Sequence, residues 1–256
     1  MRILITNDDG VEAPGIRALA IAVHDAGHEV IVVAPIGDRS GAGAATGTIH
    51  RAGPIPWWEV QWPELSEVAI YSVDLPPAGA VYTGLVGTFG PAPDLVISGI
   101  NRGLNYGHLA LHSGTVGAAL TACALGIPAI AVSIAWSEHP HWPTAGAVAV
   151  AAIGWAAALD PPAVVNLSVP DVPYAQLRGV GAATPAHYAE RWSSTTKPGE
   201  LLLHYDGRAE DPAPGSDLAL VRDGIAAVTV LTGIASAPSD AATAAITAVL
   251  EKNEPS

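Results

Sequence analysis

The sequence contains a single cysteine, Cys123, so no intramolecular disulfide can form and the cysteine content gives no sign of an oxidising compartment. It also lacks an apolar run long enough to cross a membrane. The Ala-rich stretch 145–159 is shorter than the about 20 residues that a spanning helix needs. The N-terminal residues lead directly into a strand pattern, without the apolar core of a signal peptide. We therefore expect a soluble, cytoplasmic protein with no membrane partner.

Positive charge is scarce: 11 Lys and Arg stand against 24 Asp and Glu, giving a net charge of −13. Binding of long nucleic acid requires clustered cations, so this composition argues against it. The same negative field repels a phosphate ligand unless a divalent cation and backbone N–H groups neutralise it locally. An acidic protein of this kind that handles phosphate is therefore expected to depend on a metal.

Strand and helix patterns alternate over the first 170 residues. Short apolar segments rich in Val and Ile indicate buried strands, and amphipathic or Ala-rich segments between them indicate helices. Strands that alternate with helices of this length pair in parallel through right-handed crossovers, which predicts an α/β fold with a mostly parallel sheet. The predicted strands are 2–6, 29–34, 95–98, 129–133 and 163–167, and the predicted helices are 15–26, 115–125 and 144–159.

The pattern changes after Pro170, where Pro and Gly become frequent and the strand signals, 201–205 and 226–231, become isolated. We divide the chain into a core, residues 1–170, and a β-rich extension of the same domain, residues 171–256. The extension is expected to contain a hairpin arm and to end in a helix over 240–251. Residues 57–73, which include three Trp, are expected to be irregular.

The most prominent polar cluster, Asn7, Asp8, Asp9 and Gly10, follows the first strand. In an open parallel sheet, ligands bind beyond the carboxyl ends of the strands. Two adjacent carboxylates repel each other unless a cation lies between them, and their hard oxygens suit Mg²⁺, Mn²⁺ or Ca²⁺. The alternative is an Asp-rich turn in which Asp9 caps the next helix. These residues leave both interpretations open.

A second cluster, with Arg39, Ser40 and Gly41, follows the second strand. It lacks the lysine of a Walker loop, and no helix pattern follows its glycines as a dinucleotide-binding motif would require. Ser40 could add a metal ligand or a phosphate contact, or the segment could be a solvent-exposed loop. Arg39 could bind phosphate or form a surface salt bridge, and the same two alternatives hold for Arg102.

A third cluster extends from Asn101 through Asn105 to Ser113, Gly114 and Thr115. Asn101 lies just past a predicted buried strand and can offer a carbonyl oxygen to a metal. Ser113, Gly114 and Thr115 begin an Ala-rich helix, where free N–H groups and hydroxyls can hold a phosphate without cations. Ser113 could equally be the helix N-cap, which is compatible with phosphate binding. The histidines at 108, 112, 139 and 141 lack the spacing of a zinc site, although one of them could be a general acid or a substrate contact.

Taken together, these motifs resemble the SurE family of 5′/3′-nucleotidases. The matching residues are Ile5 to Val11, Ala13 to Ile16, Val33 to Pro35, Arg39 to Gly41, Ser98 to Asn101 with Gly103, Asn105 and Gly107, Ser113 to Ala119, Gly126 to Ser133, Val165 to Leu167, and Val169 with Pro170. The resemblance implies a Rossmann-like core, a swapped C-terminal arm, and homodimers or homotetramers. It also implies hydrolysis of nucleoside monophosphates and, in some members, of polyphosphate.

The resemblance further implies roles for individual residues. It implies one divalent cation, Mg²⁺ or Mn²⁺, held by Asp8, Asp9, Ser40 and Asn101. Of these, Asp8, Asp9 and Asn101 would be the catalytic residues. The phosphate-binding residues would be Asn7, Ser40, Gly41, Asn105, Ser113, Gly114 and Thr115. The expected substrate is therefore a small phosphate ester, most simply a nucleoside monophosphate.

The chain departs from the family pattern around the expected pocket. It has His108 and Leu109 where an acidic pair is usual, His112 for a usual Tyr, Thr121 for a usual Glu, and Gly79 in a helix start that usually carries Asp. These departures leave two alternatives open: a protein that binds nucleotides without turnover, and an obligate structural subunit. A redox Rossmann enzyme is disfavoured because no Gly-rich turn joins a strand to a helix.

Overall fold

The computed structural model describes residues 1–51, 53–187, 190–208 and 211–233. Its central feature is a nine-stranded sheet. Six neighbouring strands of that sheet run parallel. In sheet order they are β4 (Ala69–Val73), β2 (Glu29–Pro35), β1 (Arg2–Thr6), β5 (Leu95–Arg102), β6 (Ala129–Ile134) and β7 (Val164–Val169). The prediction of an α/β fold with a mostly parallel sheet is confirmed.

Helices cover both faces of the sheet because its central strands are apolar on both sides. On one face, α1 (Pro14–Asp25) and α4 (Trp142–Ala157) pack through residues such as Ile16, Leu19 and Val148. On the other face, α2 (Pro77–Leu85) and α3 (Gly114–Ala124) pack through Val81 and Val116. The protein therefore has three layers, with an apolar core on each side of the sheet.

The strand order reverses at β1. From β1 the chain continues to β2 on one side, and it later returns through β5 on the other side of β1. Connections that leave in opposite directions open a crevice beyond the carboxyl ends of the two strands. The loops after β1 and β5 both begin at this crevice.

The prediction that residues 57–73 are irregular is wrong. This segment contains β3 (Trp57–Glu59) and β4, which pair antiparallel at one edge of the sheet. β3 is only three residues long and exposed, so it has no apolar alternation to detect. Pairing with β2 on its other side gives β4 its stability. The strand predictions also omitted the last four residues of β5, which extends to Arg102.

The C-terminal part contributes to the sheet and also forms a separate hairpin. β11 (Ala226–Leu231) pairs antiparallel with β7, and β8 (Val180–Ala182) adds parallel to β11. β9 (Glu190–Lys197) and β10 (Glu200–Arg208) form a two-stranded antiparallel sheet of their own. A short helix, α5 (Asp217–Arg222), precedes β11. The helix predicted over 240–251 lies outside the described residues.

Among the helices of the described ranges, none is both long and apolar enough to cross a membrane.

Candidate active site

The turn after β1 directs two carboxylates into the crevice. Asn7 is fully buried, and its side-chain amide donates a hydrogen bond of 2.9 Å to the carbonyl of Gly10, which closes the turn. Gly10 has a φ of +99°, and a Cβ there would lie 2.8 Å from the Cα of Gly37. Glycine is therefore required at residue 10, and the turn brings Asp8 and Asp9 to the edge of the sheet.

Asp8 lies against the N-terminus of α3. The hydroxyl of Thr115 donates to Asp8 Oδ1 at 2.5 Å, and the N–H groups of Gly114 and Thr115 also face this carboxylate. A Cβ at Gly114 would lie 2.7 Å from the Cβ of Asp8, so only glycine permits the approach. Burial raises the pKa of Asp8, and the Thr115 hydrogen bond offsets part of that effect. The helix N-terminus thus stabilises a buried carboxylate.

Asp9 is half-buried, and its carboxylate accepts fewer hydrogen bonds than that of Asp8. Burial, followed by the negative charges of Asp8 and Asp38, raises its pKa to about 6. The Arg102 backbone N–H and the charge of that arginine oppose the shift. Among the described residues, no Lys or Arg side chain lies within salt-bridge distance of Asp8 or Asp9. A divalent cation between the two carboxylates would relieve both the repulsion and the burial cost.

Ser40 lies on the exposed loop after β2. Asp38 Oδ1 accepts hydrogen bonds from the Ser40 hydroxyl at 2.6 Å and from its backbone N–H at 2.7 Å, and these lower the pKa of Asp38. The loop is tied to the crevice because the Arg39 N–H donates to the carbonyl of Asp8 at 2.7 Å. The Ser40 oxygen retains lone pairs that a cation could use. Gly41 is exposed beside it.

A bulge in β5 orients Asn101. The pairing of β5 with β6 shifts register between Ser98 and Asn101, and a Cβ at Gly99 would clash with the carbonyl of Val132. The Asn101 side-chain amide donates to the carbonyl of Gly103 at 2.7 Å. Because the side-chain nitrogen is engaged in this hydrogen bond, the side-chain oxygen of Asn101 is the atom left to bind a metal.

Asn105 and Ser113 offer hydrogen-bond donors. Asn105 is buried, and its side-chain NH₂ has no partner among the described residues, which suits a ligand with acceptor oxygens. The Ser113 hydroxyl accepts from the Val116 N–H at 3.1 Å, so Ser113 is the N-cap of α3. Its own hydrogen remains free to donate. Capping and ligand binding are therefore compatible at this residue, as the sequence suggested.

The donor set fits a hard divalent cation, because Asp8, Asp9, Ser40 and Asn101 would contribute only oxygen atoms. Two of these four residues are carboxylates. Within the described ranges, no group of three or more His, Cys, Asp or Glu side chains is arranged to hold a metal ion. Zinc-type coordination by histidine therefore has no support in this part of the chain.

Asp217, at the start of α5, has a structural role that no sequence motif indicated. This carboxylate is 1 % exposed and accepts hydrogen bonds from the N–H of Gly107 at 2.8 Å and of Ala186 at 2.9 Å. It thereby ties the loop that carries Asn105 to a segment near β9. The two donors lie 110 and 31 residues away in sequence, so no local pattern could have indicated the contact.

A family model described as Survival protein SurE matches residues 3–192 of the chain. The chain belongs to the SurE family. Among its relatives, 5′-nucleotidase SurE of Xylella fastidiosa (strain 9a5c) is 39 % identical over 241 residues, covering 90 % of this chain and 88 % of that protein. 5′-nucleotidase SurE of Stenotrophomonas maltophilia (strain K279a) is 38 % identical over 240 residues, with the same coverage.

The SurE fold is also found in a solved structure. The crystal structure of the SurE protein from Aquifex aeolicus has a TM-score of 0.78 to this chain and 28 % sequence identity. The similarity covers 98 % of this chain and 100 % of that one. The resemblance that the motifs predicted is therefore confirmed, and so is the Rossmann-like SurE fold.

The departures from the SurE motifs have local partners in this structure. His108 Nε2 lies 2.9 Å from Nδ1 of His187, and both side chains are exposed. Thr121 donates to the carbonyl of Gly117 within α3 at 2.8 Å. A Cβ at Gly79 would lie 2.7 Å from the carbonyl of Thr46, so Gly79 permits the loop after β2 to pack on α2. None of these residues is among the four candidate metal ligands.

Proposed function

We propose that this SurE-family chain is a phosphomonoesterase that hydrolyses nucleoside monophosphates to nucleoside and phosphate. The relatives named above carry the name 5′-nucleotidase SurE and align over 90 % of the chain. The observation that carries the proposal is the pair of carboxylates, Asp8 and Asp9, at the reversal of strand order. The charge of Asp8 acts on Asp9, and a bound cation would relieve this repulsion. Asn105 and Ser113 would add hydrogen-bond donors suited to phosphate.

The proposed cofactor is one divalent cation, Mg²⁺ or Mn²⁺, held by Asp8, Asp9, Ser40 and Asn101. When bound, the cation supplies positive charge to the phosphate and activates a water for attack on phosphorus. The hydroxyl of Thr115 and the start of α3 keep the Asp8 carboxylate in place. Asn101, which follows the bulge in β5, would offer its side-chain oxygen as a further ligand.

The phosphate would be held by donors that carry no positive charge. The buried NH₂ of Asn105 and the hydroxyl of Ser113 can each donate to a non-bridging oxygen. The N–H groups of Gly114 and Thr115 face Asp8, so the start of α3 would act on the phosphate through its helix dipole. Gly41 would add an exposed backbone N–H, and Asn7 maintains the turn through Gly10. Neutral donors together with a cation can overcome the repulsion between phosphate and a chain of net charge −13.

We also propose a homo-oligomer assembled through the β9–β10 hairpin, in the cytoplasm. The hairpin exposes Trp192, Tyr205 and Leu201 to Leu203. An isolated two-stranded hairpin is marginally stable in water, so packing against a second copy would stabilise it. The single cysteine supports the proposed location.

The test of the proposed function is release of inorganic phosphate from a panel of nucleoside monophosphates and non-nucleotide phosphate esters. Mg²⁺, Mn²⁺ and chelator are compared for the unaltered chain, for Asp9→Asn, and for a control, Asp25→Asn, at the exposed end of α1. We expect Asp9→Asn to lower activity on the order of 10²-fold or more, the cost of removing an electrostatic partner of the transition state. The control should retain full activity.

Full metal-dependent activity in Asp9→Asn would rule out the proposed site. A folded protein that binds nucleotide with metal but releases no phosphate from any ester would instead support a binding protein without turnover.

A further inference from the structure

A cavity of about 240 Å³ opens beside Asp9. It lies between the start of α1, the end of β5 and the segment that joins β6 to α4. Asp9 forms part of its wall, whereas Asn105 and Ser113 do not line it. A group joined to a phosphate at the candidate cation could therefore enter this cavity while the phosphate stays with its own donors. Pockets that hold a whole drug-sized ligand have volumes of about 300 Å³ or more. This cavity is smaller, so it suits one part of a ligand.

The wall of the cavity suits a flat ring. Ala13, Pro14 and Pro140 supply apolar surface, and Trp142 supplies an aromatic side chain that is half-buried against the core. A planar heterocycle gains both apolar contact and ring stacking in such a site.

Arg102 is held in place at the rim of the cavity. Its Nε donates to the carbonyl of Ser137 at 2.8 Å, and its guanidinium lies over the ring of Trp136, 5.4 Å from the ring centroid. In the part of the chain that the structure describes, its two terminal nitrogens have no hydrogen-bond partner. A guanidinium plane fixed in this way can stack on a heterocycle and donate to its ring nitrogens.

Glu138 favours a ligand that carries hydrogen-bond donors and no negative charge. Its exposed carboxylate lines the cavity and forms no salt bridge with any described residue. With Asp9 it places two negative charges around Arg102, which disfavours a second phosphate in the cavity. An ionised carboxylate only accepts hydrogen bonds, so it selects a neutral ring whose edge donates them. Guanine offers two adjacent donors on one edge, adenine and cytosine offer an amino group, and uracil places acceptors on both sides of its single donor.

We propose that this cavity binds the nucleobase of the substrate, with Arg102 and Trp142 contacting its faces and Glu138 accepting from its donor edge. The proposal deepens the nucleotidase function and rests on it. The expected order of preference is guanine first, then adenine and cytosine, then uracil.

The first experiment measures binding without catalysis. Guanosine, which has no phosphate, is titrated into the protein in the presence of chelator, and binding is followed by tryptophan fluorescence and by isothermal titration calorimetry. We expect saturable binding that weakens about 10-fold in Glu138→Gln, the loss expected for one hydrogen bond to a charged group. The matched control is Glu59→Gln on the edge strand β3, where binding should be unchanged. Absence of guanosine binding, or equal loss in both variants, would overturn the proposal.

The second experiment measures specificity as the ratio of kcat/KM for guanosine 5′-monophosphate to kcat/KM for ribose 5-phosphate, which lacks a base. We expect a ratio well above one, and a reduction of about 10-fold in Glu138→Gln and in Trp142→Ala. Trp142 packs against the core, so Trp142→Ala could lower the stability of the fold. Glu138 is exposed, so Glu138→Gln should fold normally, and the test is decided by that variant. A wild-type ratio near one, or a ratio unchanged in Glu138→Gln, would overturn the base site while leaving the phosphatase intact. Guanosine binding that depends on Glu138 in a protein that releases no phosphate would support the cavity and reject the proposed hydrolysis.

Discussion

Asp8 and Asp9 are neighbours in sequence with different surroundings. Asp8 is buried and accepts from Thr115 and the start of α3, whereas Asp9 is half-buried and lies near two other carboxylates. A buried carboxylate costs free energy unless hydrogen bonds or a cation compensate it. Thr115 provides part of that compensation for Asp8, and the candidate cation would provide the rest for both.

The Thr115 hydroxyl can be removed without changing the side-chain volume. In Thr115→Val, Asp8 loses its 2.5 Å hydrogen bond, so its carboxylate is less well oriented. We expect Mn²⁺ affinity, measured by isothermal titration calorimetry, to fall about 10-fold or more, the range for a hydrogen bond to a charged group. Thr83→Val is the control, because that hydroxyl donates to the carbonyl of Ala80 inside α2. A Mn²⁺ affinity within twofold of wild type would show that the hydroxyl does not support a cation site.

The loop between β5 and α3 contacts α5 and the segment before β9, both of which are far from it in sequence. The Asp217 carboxylate accepts from Gly107 of this loop, from Ala186 near β9, and from its own helix at Leu218. A Cβ at Gly107 would clash with the carbonyl of Ala186, so the two segments are in close contact. The position of Asn105 therefore depends on a helix that follows the hairpin.

Asp217→Asn keeps the shape of the side chain but replaces one acceptor oxygen with a donor. A buried N–H left without a partner costs about 1–3 kcal/mol. In a chain of this size, each kcal/mol lowers the melting temperature by about 2–4 °C. We expect thermal unfolding to show that decrease, together with a raised KM for phosphate esters. Asp223→Asn, at the exposed end of α5, is the control. An unchanged melting temperature would contradict the role given to Asp217.

At the scale of the whole molecule, the β9–β10 hairpin stands apart from the nine-stranded sheet. Leu201 and Leu203 are 62 % and 64 % exposed, and they lie on one face of β10 because side chains two residues apart share a face. Trp192 and Tyr205 pack together across the hairpin, with ring centroids 5.2 Å apart. The proposed interface between copies of the chain would cover this exposed apolar surface.

Charges on that surface should separate the copies. We expect Leu201→Glu combined with Leu203→Glu to reduce the particle mass, measured by light scattering after size exclusion, to that of a single chain. Val86→Glu serves as the control, since Val86 is 74 % exposed at the end of α2. A wild-type protein that is already a single chain, or a double variant with unchanged mass, would exclude the hairpin as the interface.

The sequence alone was sufficient to predict the parallel α/β core, because buried strands and Ala-rich helices leave strong local patterns. It was also sufficient to propose Asp8 and Asp9, which follow β1, and Asn101, which lies near the end of β5, as candidate ligands, since parallel strands end at one edge of the sheet. Three-dimensional packing was needed for β3, whose three exposed residues show no alternation and which pairs with β4, and for β4, which pairs with β2. The same holds for the contact of Thr115 with Asp8, for Asp217, and for the cavity at Arg102 and Glu138. These features join residues that are distant in the chain, and a local sequence pattern does not show which distant residues become neighbours.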